Sequence, residues 1–143
     1  MFLGEHQHII DGKGRVVMPA RFRAQLSDGL VTTRGFDRCL YVFRLEDFRR
    51  EAQEVLPRDR TELEMRNRSR SLFGGASDLP LDGQGRLPIP QSLREYARLT
   101  RDVVVLGVYD HIEIWDAGTW YQKQADLDEQ YANTDTGSRG EGH

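Results

Sequence analysis

The chain has 143 residues, 38% hydrophobic and 30% charged, which suits one compact domain or two small fused half-domains sharing a lean core. The net charge of −3 argues against a uniformly basic nucleic-acid binder, yet residues 1–76 carry 14 Lys and Arg against 11 Asp and Glu, and residues 77–143 carry 6 against 12. One cysteine, Cys39, excludes an internal disulfide framework and a Cys-rich zinc site and fits a reducing, cytosolic compartment.

In chain order, residues 5–10 end in a short strand candidate, His8-Ile9-Ile10. Asp11-Gly12 and Gly14 then specify a tight turn, because Asp favours turn starts and Gly accepts positive φ. Arg15-Val16-Val17-Met18 reads as the return strand. Pro19 suits the first position of a helix carrying Phe22 and Leu26, which Asp28-Gly29 stops. Leu30–Thr33 and Cys39–Phe43 are β-rich and flank a turn around Gly35-Phe36-Asp37. Residues 46–56 read as a helix with Phe48, Ala52 and Val55 or Leu56 on one face.

The same order then recurs. Leu79-Pro80-Leu81 leads in, Asp82 to Arg86 turns, and Pro90 opens a helix with Leu93, Tyr96 and Ala97. Asp102–Leu106 is a strand, Gly107–Asp110 a turn, Ile112–Trp115 a strand, and Gly118 to about Tyr131 a helix. Phe43 matches Trp115 and Phe48 matches Trp120, so the expected units are ββαββα at residues 5–56 and 78–131. Residues 57–77 are expected to be a linker with an arginine-rich helix, and 132–143 a disordered, Gly-rich tail. No apolar run approaches the roughly 20 residues of a membrane span, and the start Met1 to His6 lacks the pattern of a signal peptide.

The repeat also carries the chemistry. Asp11-Gly12-Lys13-Gly14-Arg15 and Asp82-Gly83-Gln84-Gly85-Arg86 stand 71 residues apart. Two glycines let the backbone approach a ligand closely, and Arg15 and Arg86 each offer a planar five-donor fork suited to phosphate or a guanine edge. Asp11 and Asp82 are placed to brace these arginines. Lys13, Arg21 and Arg23 extend the first basic surface. A hairpin whose Arg merely pairs with its own Asp would account for one such loop. Two loops in equivalent places favour a functional site, because a fold needs the turn but not the same arginine twice.

Other chemistries fit less well. A calcium loop starting at Asp11 needs an acid at its twelfth position, where this chain has Phe22. The four histidines form no ligand set and are expected at the surface, and no nucleophilic triad or phosphate-cradling Gly-Lys-Ser/Thr appears. The six aromatics Phe36, Tyr41, Phe43, Phe48, Trp115 and Trp120 read as core or interface residues before base-stacking platforms. The expectation is a chain with no enzyme activity, no cofactor and no metal.

The opening Met-Phe-Leu-Gly-Glu, the paired Asp-x-x-x-Arg loops and the Gly35–Phe43 segment resemble the MraZ family over about residues 1–132. The resemblance implies an α+β fold of two tandem AbrB-like (SpoVT-AbrB) repeats, closed as one pseudo-twofold swapped-hairpin β-barrel with flanking helices. It implies a cytoplasmic, nucleoid-associated regulator, usually a repressor, of the bacterial division and cell-wall gene cluster. Such proteins bind short, repeated G-rich promoter elements in double-stranded DNA as a homo-oligomeric ring, an octamer or similar, with no membrane partner. The contact residues carried over are Asp11 and Arg15, Asp82 and Arg86; Lys13, Arg21 and Arg23, read from the charge pattern, are expected mainly to position the nucleic-acid backbone. Two alternatives of the same fold remain, a protein–protein module and an RNA-binding regulator.

Overall fold

The computed structural model describes residues 1–59 and 61–135, and most of the expected disordered tail lies outside them. Among the described residues, seven strands and five α-helices follow in order: β1 (Phe2–Ile9), β2 (Arg15–Val17), α1 (Ala20–Arg23), β3 (Leu30–Arg34), β4 (Leu40–Arg44), α2 (Leu45–Val55), α3 (Leu63–Gly74), β5 (Arg86–Pro88), α4 (Gln91–Tyr96), β6 (Asp102–Tyr109), β7 (Ile112–Asp116) and α5 (Ala117–Ala132). The helix expected at 46–56 is α2, and the arginine-rich helix is α3.

The α+β class holds, and the two repeats interleave. β1 pairs with β6 and β4 with β7, so the β6–β7 pair of the second half is inserted between β1 and the β4–β3 pair of the first in an antiparallel sheet of order β1-β6-β7-β4-β3. β2 pairs with β5 in a separate two-stranded ribbon. The hydrogen bonding thus describes an open sheet plus a ribbon, and what unites them is a common core. Phe2, Val16, Phe22, Leu40, Leu87, Leu93 and Ile114 are fully buried in one cluster drawn from both halves. β3–β4 and β6–β7 pair within a repeat, but β1, β2 and β5 pair only with strands of the other half, and the shared core stabilises halves too small to bury one alone.

Three local readings shift. Gly107 was expected in a turn but lies within β6, opposite Gly4 of β1. A Cβ on Gly107 would stand 2.4 Å from the Leu3 backbone nitrogen, so the missing side chain serves close strand approach rather than turning. The turn moves to Asp110-His111. Leu79-Pro80-Leu81 forms no strand, consistent with a proline that has no N–H to donate, and the second repeat has no counterpart of β1. Ser77 instead exchanges two backbone hydrogen bonds with Thr32, each 2.8 Å.

The matched aromatics do pack as matched pairs. Phe43 lies 5.7 Å from Phe48, and Trp115 lies 5.3 Å from Trp120. Each pair seats a strand on the helix that follows it. Among the described residues, no helix is long and apolar enough to cross a membrane.

Candidate nucleic-acid interface

The ribbon sets the geometry of the site. Its register places Arg15 opposite Pro88, Val16 opposite Leu87 and Val17 opposite Arg86. Side chains alternate faces along a strand. Val16 and Leu87 therefore point into the core, both 0% exposed, while Arg15 and Arg86 share the outer face with Val17 and Pro88. Their diagonal relation puts the two arginines roughly 7–8 Å apart at the backbone, about a pseudo-twofold point between Val16 and Leu87.

The two turns repeat one hydrogen-bond scheme. Asp11 Oδ1 accepts from the amides of Lys13 and Arg15 at 2.9 and 3.0 Å, and its Oδ2 accepts from Arg15 Nε at 2.8 Å. Asp82 Oδ1 accepts from Gln84 and Arg86 at 2.9 and 3.0 Å, and its Oδ2 from Arg86 Nε at 2.7 Å. Gly14 and Gly85 each donate to the carbonyl of the turn's Asp at 3.0 Å, with φ of +78° and +74°. Positive φ explains glycine at these two positions.

Each Asp is thus consumed by its own loop. Every arginine spends only Nε on it, and the terminal nitrogens of Arg15 and Arg86 have no partner among the described residues. Exposure of 25% and 32% for Arg15 and Asp11 makes this a surface pair, worth about 0–1 kcal/mol. So small a stability gain leaves orientation of the outward forks as the main consequence.

Backbone donation from Arg86, followed by its side-chain hydrogen bond and the Gln84 amide, holds the Asp82 carboxyl down at about 2, and the same contacts lower Asp11. A depressed carboxylate contributes stability above its unfolded value, and that contribution is lost as pH falls through the folded value. Both loops should therefore keep their form at pH 4, and an NMR titration of the Asp82 carboxyl should show its midpoint near 2. A midpoint in the ordinary carboxylate range would mean that the brace is absent in solution.

The other expected site residues surround the ribbon. Lys13 is exposed at the tip of the first loop, where the second loop has Gln84, and Arg21 is exposed on α1. Arg23 is half-buried, its Nε donating to the Met18 carbonyl at 2.9 Å. Arg94, absent from the residues expected above, occupies the matching place on α4 and donates to the Ile89 carbonyl at 2.7 Å. Its signal was present in the sequence as the same 71-residue offset from Arg23.

Not every histidine is a surface residue. His111 lies against Tyr41 and Phe43, with ring centroids 4.8 and 5.6 Å away, and bonds Asp110 through Nδ1 and Glu113 through Nε2. Burial opposes its charge, but the bonds to Glu113 and Asp110 outweigh that and raise its pKa. His6 Nε2 is buried beside Phe22 without a hydrogen-bond partner among the described residues. Burial also pushes the Cys39 thiol upward, which makes it a packing group rather than a nucleophile. Among the described residues, no cluster of three or more His, Cys, Asp or Glu is arranged to hold a metal.

Comparison with known proteins gives one consistent result. The MraZ protein family matches residues 1–70 and 72–138. A Kineococcus radiotolerans protein named transcriptional regulator MraZ is 44% identical over 133 residues, 93% of each chain. Relatives with the same name from Roseiflexus castenholzii and Herpetosiphon aurantiacus are 47% and 48% identical, covering 90% and 84% of both chains respectively.

Proposed function

The chain belongs to the MraZ family, whose curated relatives are named transcriptional regulators, and we propose that it regulates transcription by gripping promoter DNA through the β2–β5 ribbon. The observation that carries this reading is the pair of uncommitted guanidinium forks on the outer face of one ribbon, each aimed by its own aspartate. The major groove of B-DNA is about 12 Å wide and admits a two-stranded β-ribbon, and arginine is the commonest bidentate partner of guanine. Arg15 and Arg86 take the base-edge role, while Lys13, Arg21 and Arg23 take the phosphates.

The regulated target is the division and cell-wall gene cluster, the sites are short G-rich repeats upstream of it, and the outcome is repression. These five cations on and beside one ribbon give modest affinity for a single protomer. A homo-oligomeric ring, of about eight copies, would match repeated sites and raise the effective concentration of each further contact. The net negative charge of the chain outside this cationic ribbon limits non-specific binding.

A gel-shift titration with the G-rich upstream duplex tests this, and equal competition by RNA of the same sequence would replace it with the RNA reading. Affinity should fall steeply with salt, the log–log slope being about −0.9 per neutralised phosphate. A slope near zero would reject phosphate contacts as the source of affinity.

A further inference from the structure

Resting on the DNA-binding reading, we propose that Arg23 and Arg94 are reciprocal positioning residues, each latching the reading loop of the opposite repeat. Gly14 of the first loop and Gly85 of the second are both buried, although each directly follows an exposed residue at a loop tip. What covers them comes from the other half of the chain. A Cβ on Gly14 would lie 1.7 Å from Arg94 Nη1, and one on Gly85 would lie 2.4 Å from Arg23 Nε. Each guanidinium therefore occupies the space that a loop side chain would fill.

The hydrogen bonds close a circuit around each latch. Arg94 Nη1 donates to the Ile89 carbonyl at 2.7 Å, while the Ile89 amide donates to the Gly14 carbonyl at 2.9 Å. Arg23 Nε donates to the Met18 carbonyl at 2.9 Å, while the Met18 amide donates to the Gly85 carbonyl at 2.9 Å. Each arginine is thus fixed to the residue just beyond its own ribbon strand, and that residue holds the opposite loop. A flat guanidinium on a bare glycine joins the two loops into one rigid unit. Loops ordered before binding spare the complex that ordering cost. A single repeat would lack the latch on its own loop.

Backbone amide exchange on the free full-length chain reads this directly. Arg94→Ala should speed exchange of the Gly14 and Ile89 amides about tenfold and leave Gly85 and Met18 within about twofold, and Arg23→Ala should do the reverse. Arg94→Lys keeps the charge but loses the planar fork, and should not restore slow exchange. Gly14→Ala fills the seat from the loop side and should reproduce the Arg94→Ala pattern. Each alanine variant should also weaken binding to the G-rich upstream duplex about tenfold. Unchanged exchange at the opposite loop, or full rescue by lysine, would overturn the latch. Exchange as expected in a chain that shifts no duplex would uphold the latch and overturn the DNA-binding reading.

Discussion

Replacing both Arg15 and Arg86 with alanine should abolish binding to the G-rich upstream duplex at physiological salt while leaving the fold and assembly intact. Each bidentate arginine–base contact is worth about 1–3 kcal/mol. Losing two, with their counterion release, should weaken binding on the order of a thousandfold at moderate salt. The fold should hardly register the change, because the arginines are partly exposed and their ion pairs are worth at most about 1 kcal/mol each. Fluorescence anisotropy with the labelled duplex, beside sedimentation of the free variant, separates the two effects. Arg15→Ala alone should cost more than Arg86→Ala, since the first loop adds Lys13 where the second has Gln84. Wild-type affinity in the double variant would remove these loops from the interface. Lost affinity with a broken assembly would instead mean that the arginines hold the assembly together.

The two Asp-Gly-x-Gly-Arg loops were legible in the sequence because their chemistry is local. Asp starts the turn, glycine supplies positive φ, and the arginine four residues on returns to the same carboxylate. The interleaved strands could be anticipated from the doubled pattern, but the register between halves could not, since only the folded core decides which strand meets which. The same limit explains the misread positions. Gly107 resembles a turn residue until β1 is laid against it. His111 resembles a surface histidine until β4 brings Tyr41 and Phe43 to its ring. Arg94 meets Gly14 across 80 residues of chain, so charge counting along one helix assigns it no partner. Repeat symmetry is the one signal that points to it, because Arg23 meets Gly85 in the matching way.

Leu87→Ala should be the most damaging of simple truncations beneath the site. Leu87 is 0% exposed and pairs with Val16 at the centre of the ribbon, within the cluster that also contains Phe22 and Ile89. Deleting a buried leucine side chain costs about 2–5 kcal/mol, part transfer energy and part cavity. For a chain of this length that lowers Tm by about 10 °C, a large share of a total stability of about 5–15 kcal/mol. Leu79→Ala, at 46% exposure, should change stability by only about 0.5 kcal/mol and serves as the control. Thermal unfolding at one protein concentration keeps any assembly contribution constant. The ribbon rests on Leu87 as its outer face carries Arg15 and Arg86, so DNA affinity should also fall at temperatures where the variant is still folded. A variant with wild-type Tm would show that the ribbon is not seated on the shared core, and the outward aim of both arginines would lose its support.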